Sequence, residues 1–151
     1  MLNQPHNYPR LVHLPHIDTE SKEGKYNGYV RPIVNELIPG TQPIVMAYLT
    51  YCAPGSIKGP HMHYAPKEDR FVCVEGECVV VCRSERGGDE MYEFILDADD
   101  QMVIIPPDTS HAIVSKDGAL VLSLPNEGYY PGHYNQIESQ YHNYDWSKWL
   151  K

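Results

Sequence analysis

A chain of 151 residues is about one domain long and can bury roughly two thirds of its unfolded surface, enough for a rigid pocket without disulfides or a structural metal. Twelve basic residues against twenty acidic ones leave a formal charge of −8, which argues against nucleic acid while leaving room for a small anionic ligand. No apolar run approaches the roughly 18 residues of a membrane span and no signal peptide is visible, so the chain reads as soluble and cytoplasmic.

Residues 1–28 are rich in Pro, His and charge and are expected to wrap the domain as an extended arm. Short strands punctuated by turn chemistry follow. Ile44 to Cys52 is one strand, ended by Pro54-Gly55. Arg70 to Arg83 is two strands joined at Glu75-Gly76, an acidic-Gly turn of hairpin type. Arg86 to Asp89 is a turn and Met91 to Leu96 a strand. Met102 to Ile105 leads into Pro106-Pro107, which cannot continue a central strand. Asp117-Gly118 is a further hairpin signal between His111–Ser115 and Ala119–Leu124. Strands about every ten residues indicate an all-β sandwich or barrel over residues 29–140. In residues 141–151, Tyr141, Tyr144, Trp146 and Trp149 at loosely helical spacing indicate a short C-terminal helix docking its aromatics on the barrel. Cys52, Cys73, Cys78 and Cys82 contain no CxxC pair, and three of them lie in one apolar β-like run; they read as buried free thiols of the core.

The chemistry concentrates in Gly55-Ser-Ile-Lys-Gly-Pro-His61-Met-His63, then Glu68-Asp69, then His111 after the Pro106-Pro107-Asp108 turn. Two histidines one residue apart on a strand share a face, and a hairpin would bring the following carboxylate alongside. A lone buried His is usually only a hydrogen-bonded core residue, but three sharing a face with a carboxylate can hold a transition metal or act as acid and base. Alternation along the strand puts Glu68 and Asp69 on opposite faces, so one of the two is the candidate carboxylate.

The run from Gly55 through His61-x-His63 and an acid to Gly76 resembles the first cupin motif, and Asp100 through Pro106 to His111 resembles the second, with Asp where that motif has Gly at both positions. The resemblance implies a double-stranded β-helix, the jelly-roll barrel of the cupins, with a metal ligand set of His61, His63, Asp69 and His111. A narrower resemblance rests on Lys58-Gly59-Pro60-His61, Arg70 to Gly76, Ile105-Pro106-Pro107, His111 and Tyr129-Tyr130-Pro131. These are similar to the sugar-nucleotide cupins: the dTDP-4-dehydrorhamnose 3,5-epimerases and the dTDP-sugar 3,4-ketoisomerases. That similarity implies His61 as general base, His63 as a partner in proton relay, and a tyrosine of the Tyr129-Tyr130 pair as acid, taken here as Tyr130. It places Arg70, Lys58 and Tyr129 on the substrate, the cations holding its pyrophosphate.

Three readings follow. The first is an isomerase of a nucleotide-linked keto sugar, needing no cofactor. The second is a metal-dependent cupin, an oxygenase or isomerase of a small molecule using a divalent transition metal. The third is a non-catalytic cupin that binds a small ligand. For each cation alone, solvated surface is the simpler reading, and for each tyrosine, packing. Unpaired strand edges and the polar N-terminal arm offer a pairing surface, so a homodimer is expected.

Overall fold

A computed structural model describes residues 7–33, 43–85, 90–128 and 135–151. Among these residues are twelve strands and one short helix. They are β1 (Arg10–His13), β2 (Ile17–Glu20), β3 (Tyr26–Val30), β4 (Tyr48–Cys52), β5 (Ser56–Met62), β6 (Asp69–Gly76), β7 (Cys78–Ser84), β8 (Met91–Leu96), β9 (Gln101–Ile105), β10 (Thr109–Ser115), β11 (Ala119–Ser123), β12 (Ile137–Glu138) and α1 (Ser147–Leu150). Two five-stranded sheets, in orders β1-β9-β6-β11-β4 and β12-β5-β10-β7-β8, face one another, and β2-β3 forms a separate ribbon. Every strand pairing among the described residues is antiparallel, and the whole is a jelly-roll barrel of the cupin type. No helix among the described residues is long and apolar enough to cross a membrane.

Three apolar layers hold the sheets. Alternation places Phe71, Cys73, Val80, Cys82, Val103, Ile105, Ile113 and Val121 between the sheets, with Tyr92 and Phe94 packed against them. The opposite face of the first sheet buries Val72, Met102 and Ile104 under Leu14 and Ile33 of the N-terminal segment. The outer face of the second sheet buries Val79, Val81 and Val114 under Tyr141, Tyr144, Trp146 and Trp149. The expected C-terminal aromatic docking is therefore present, tied by Trp149 Nε1–H donating to Tyr144 Oη at 2.7 Å and Tyr144 O–H to Glu93 at 2.6 Å. All four cysteines are free and buried.

The expected hairpins at Glu75-Gly76 and Asp117-Gly118 are instead corners. β6 and β7 lie in different sheets, as do β10 and β11. A glycine at positive φ serves a corner as well as a hairpin, and sequence alone does not tell them apart. At Gly76 (φ +77°) an added Cβ would meet the Gly118 carbonyl oxygen at 2.3 Å, so the two corners pack against each other. Other differences are smaller. The first barrel strand starts at Tyr48 rather than Ile44, and β5 extends the His-x-His segment back to Ser56. The expected arm supplies β1, which pairs with β9 as a sheet edge, and its boundary at residue 28 falls within β3. The Arg86–Asp89 turn lies outside the described residues.

One backbone position ties the fold to the histidines. His61 pairs directly with His111, yet Lys58 pairs with Ile113, so β5 carries one extra residue across Gly59-Pro60. Pro60 has no N–H to lose from the ladder, which suits a bulge. Gly59 sits at φ +93°, and a Cβ there would meet the His111 carbonyl oxygen at 2.8 Å. Gly59→Ala should therefore cost about 2–3 kcal/mol in urea unfolding, combining backbone strain with a backbone clash. Gly24→Ala, at φ +72° with open space around it, should cost only the backbone strain, about 1–2 kcal/mol.

Candidate functional site

His61, His63 and His111 converge inside one end of the barrel, with ring centroids 4.7–5.3 Å apart. The second sheet supplies all three: His61 from β5, His63 just beyond its end, and His111 from β10. The first sheet supplies Asp69, the opening residue of β6. The carboxylate thus reaches the histidines from across the barrel rather than from alongside through a hairpin. Its Oδ2 lies 2.9 Å from His63 Nε2 and 3.4 Å from His111 Nε2.

Asp69 stands at the position that the cupin resemblance implies, and its neighbours face elsewhere. Glu68 and Arg70 pair with each other: Arg70 Nε and Nη2 donate to Glu68 Oε1 at 3.0 and 2.8 Å. Arg70 is 1% exposed. It shares the β6 face of Val72, under the N-terminal segment, whereas Asp69, Phe71 and Cys73 face the barrel interior. Arg70, expected on the substrate phosphates, thus lies on the opposite face of β6 from Asp69 in this structure. The N-terminal segment covers the face from which it projects, and its guanidinium neutralises a buried carboxylate. Lys58 is exposed and does line the candidate cavity. Tyr129 and Tyr130 lie outside the described residues.

That cavity, of about 570 Å³, opens between β4 and β5 and is lined by Met46, Tyr48, Thr50, Lys58, His61, His63 and Lys67 among others. His61 and His63 face it, while Asp69 and His111 stand behind them, 3% and 1% exposed. The two front histidines differ. Both ring nitrogens of His63 are engaged: Nδ1–H donates to the Asn135 carbonyl and Nε2 meets Asp69. No described residue hydrogen-bonds the His61 ring. Behind them, His111 Nδ1–H donates to the Thr109 carbonyl at 3.1 Å, which leaves the Nε2 lone pair facing Asp69.

Burial sets the protonation of the cluster. Desolvation, then the charges of His111 and His63, lower the His61 pKa to about 3. Desolvation first also lowers that of His111 to about 4. For Asp69, burial alone would raise the pKa; the His63 hydrogen bond, with the charges of His111, His63 and Lys67, outweighs it and holds the carboxyl at about 2. His61 therefore presents a neutral imidazole and an open lone pair to the cavity. The cluster also has the makings of a metal centre. The three imidazoles offer ligand atoms within 4.8 Å of one another. His111 Nε2 and Asp69 Oδ1 are buried without a hydrogen-bond partner, and the Thr109 carbonyl orients the His111 ring as a metal ligand's outer partner would.

Two asparagines shape the site without having been marked in the sequence. The Asn135 side chain bridges Tyr64 N–H and C=O, both at 2.8 Å. Asn126 accepts from Glu68 N–H at 2.7 Å and donates to the Pro66 carbonyl at 2.8 Å. Together they clamp residues 64–68, the segment between the histidines and Asp69. An isolated Asn in a polar stretch carries no signal of such a partner, since both clamps bridge more than fifty residues.

Comparison with known proteins sets these features in context. The family model described as FdtA (WxcM-like, C-terminal) matches residues 12–146. No curated protein matches the chain at a significant level. Among solved structures, a dTDP sugar isomerase from Desulfovibrio desulfuricans G20 superposes with a TM-score of 0.71 at 16% identity, covering 92% of this chain and 90% of that one. The dTDP-4-dehydrorhamnose 3,5-epimerase of Elizabethkingia anophelis NUHP1 gives 0.70 at 16% identity, over 95% and 84%. A sugar 3,4-ketoisomerase from Thermoanaerobacterium thermosaccharolyticum, in complex with TDP, gives 0.66 at 18% identity, over 94% and 91%. A variant of that enzyme holds TDP-4-keto-6-deoxyglucose. At such identities the likeness speaks for the fold.

The depressed imidazoles predict an acid-sensitive fold. Below about pH 6.5 the unfolded chain takes up protons at His61 and His111 that the folded chain refuses until about pH 3–4. Protons bound only by the unfolded state cost stability as pH falls, at most about 1.4 kcal/mol per pH unit for each imidazole. Asp69, held at about 2, adds loss of the same sign below about pH 4. Urea midpoints should thus fall from pH 6.5 to 4.5, and less steeply in His61→Asn. A flat profile would contradict neutral buried rings.

Proposed function

This chain belongs to the FdtA family (WxcM-like, C-terminal), and we propose that it is an isomerase of a nucleotide-linked keto sugar, an epimerase or 3,4-ketoisomerase, with His61 as the base. One observation carries the reading: on the wall of a sugar-sized cavity, His61 is a neutral imidazole with no hydrogen-bond partner among the described residues. A general base needs a lone pair within reach of the proton it takes, and His63, held at both nitrogens, has none to spare.

The C–H bond beside the sugar's keto group breaks, its proton passes to His61, and its electron pair forms the C=C bond of an enolate as the carbonyl pair moves onto oxygen. Return of a proton to the opposite face gives the epimer, and to the former carbonyl carbon the ketoisomer. His63, held by Asp69 and Asn135, is a fixed ring beside His61 with no nitrogen left to relay a proton, so on the ketoisomer path the hydroxyl proton of the adjacent carbon reaches the former carbonyl oxygen through water. Lys58 on the rim takes the pyrophosphate, the role the family resemblance implies for it. TDP and TDP-4-keto-6-deoxyglucose, ligands of structural neighbours, are the first compounds to try.

TDP at 100 times its dissociation constant should stabilise the protein by about 2.7 kcal/mol in a thermal-shift assay. In D2O, wild type should carry deuterium into TDP-4-keto-6-deoxyglucose, and His61→Asn should slow this 100-fold or more while TDP still binds. No stabilisation by TDP, UDP, GDP or CDP would sink the reading.

A second reading is favoured by the orphaned His111 Nε2 and Asp69 Oδ1. His61, His63, His111 and Asp69 would hold a divalent transition metal, which as a Lewis acid would polarise a bound carbonyl. Stoichiometric Fe, Mn, Ni, Zn or Cu in protein purified without chelator, lost in His111→Gln, supports it. Metal below a tenth of an equivalent, with no thermal shift on adding these ions, removes it.

A further inference from the structure

We propose that Cys73 and Cys78 form a dithiol modified by hydrogen peroxide, in which Cys73 takes the oxidant and Cys78 closes a disulfide on it. The pair is independent of the keto-sugar reading. Cys73 sits toward the far end of β6 from Asp69, Cys78 opens β7, and neither lines the histidine cavity.

The two buried cysteines flank the corner at which the chain leaves the first sheet for the second. The residues between them, Val74 to Glu77, are all exposed, so the thiols lie directly beneath the turn of the chain. Both side chains belong to the apolar layer between the sheets, where a thiol is ordinarily inert filling. The surroundings of Cys73 are different. Its S–H lies 3.3 Å from the Glu75 carbonyl and 3.4 Å from that of Gly76. Its sulfur also accepts from the Cys78 thiol and from the backbone N–H groups of Glu75 and Cys78. The neutral thiol thus finds acceptors and the thiolate finds donors at one place in the corner.

Those donors make the pair unequal. The Cys78 hydrogen bond, ahead of the two amides, lowers the Cys73 pKa against burial and the charge of Asp97. That of Cys78 is raised, first by the bond it gives to Cys73 and then by burial. Cys73 therefore yields its proton first, and Cys78 keeps one to give away. The other two cysteines lack this arrangement: the Cys52 thiol meets Ser56 Oγ at 3.3 Å, and burial alone pushes the Cys82 thiol up. Gly76, whose carbonyl Cys73 meets, is part of the wall of a cavity of about 580 Å³ that Glu75, Glu77 and Asp117 also line. Carboxylates there repel anionic oxidants and burial of both sulfurs excludes bulky ones, which leaves a small neutral peroxide.

The Cys73 sulfur attacks one peroxide oxygen and the O–O bond breaks. The departing hydroxide takes the thiol proton and leaves as water. The sulfur, oxidised by two electrons to a sulfenic acid, is then attacked by Cys78. An S–S bond forms as the S–O bond breaks, and the Cys78 proton leaves with the hydroxyl as a second water. Two thiols and one hydrogen peroxide give one disulfide and two waters.

The test exposes the folded protein to hydrogen peroxide, blocks remaining thiols by alkylation and cuts with a Glu-specific protease, which separates Cys73 from Cys78 at Glu75 and Glu77. Wild type should lose two hydrogens and yield fragments joined through Cys73 and Cys78, released by dithiothreitol. Cys78→Ala, with no resolving thiol, should instead give a dimedone adduct on Cys73. Cys73→Ala should slow thiol oxidation by about tenfold or more and carry no adduct on Cys78. Should either variant fail to fold, mapping of the wild type alone decides the pairing. Thiols that survive peroxide in the folded protein, under conditions that oxidise the urea-unfolded chain, overturn the proposal. A link through Cys52 or Cys82 overturns it too, as does an adduct on Cys78 once Cys73 is gone.

Discussion

A carboxylate sealed inside a barrel must be met by donors or charges, and the meeting of Asp69 with His63 organises this molecule. The partners come from opposite sheets, so the cluster exists only where the barrel is closed around it. Its construction reaches back into the chain at several points. The Gly59-Pro60 bulge sets His61 opposite His111, and the Asp108 N–H donating to the His63 carbonyl at 2.7 Å fixes the end of β5. The pairing of Asp69 with Ile105 places the carboxylate at the start of β6, beneath the rings.

The cluster also separates the roles of residues that look alike in the sequence. Histidines one residue apart become a ring engaged at both nitrogens and a ring with neither nitrogen engaged by a described residue. Successive charged residues diverge as well. Lys67 faces the cavity, Asp69 the imidazoles, and Glu68 and Arg70 each other. A strand alternates its faces, and the contents of each face decide whether a charge binds ligand or holds the fold.

That alternation is why much of the site was legible beforehand. His-x-His and His111 after its Pro-Pro turn follow from local pattern, as do the core cysteines and the docked C-terminal aromatics, whereas the choice of Asp69 over Glu68 came from the cupin motif. What stayed hidden depends on contacts distant in sequence. Gly76 and Gly118 permit either a hairpin or a corner, and only the winding of strands from sheet to sheet makes them corners. Arg70 reads as a ligand contact until the N-terminal segment is seen to cover its face. Asn126 and Asn135 gain meaning only from partners that are remote in the chain. The edge strand β1 lies in a segment whose Pro, His and charge give no alternating signal.

The account turns on a neutral, unengaged His61 that meets the ligand. Long-range 1H–15N NMR of the histidine rings, with and without TDP-4-keto-6-deoxyglucose at equilibrium, tests this most directly. The predicted result is a His61 ring singly protonated from pH 7 down to pH 5, whose nitrogen shifts move when ligand is added. A His61 ring already doubly protonated at pH 7, or one whose shifts are unmoved by saturating ligand, would contradict the account.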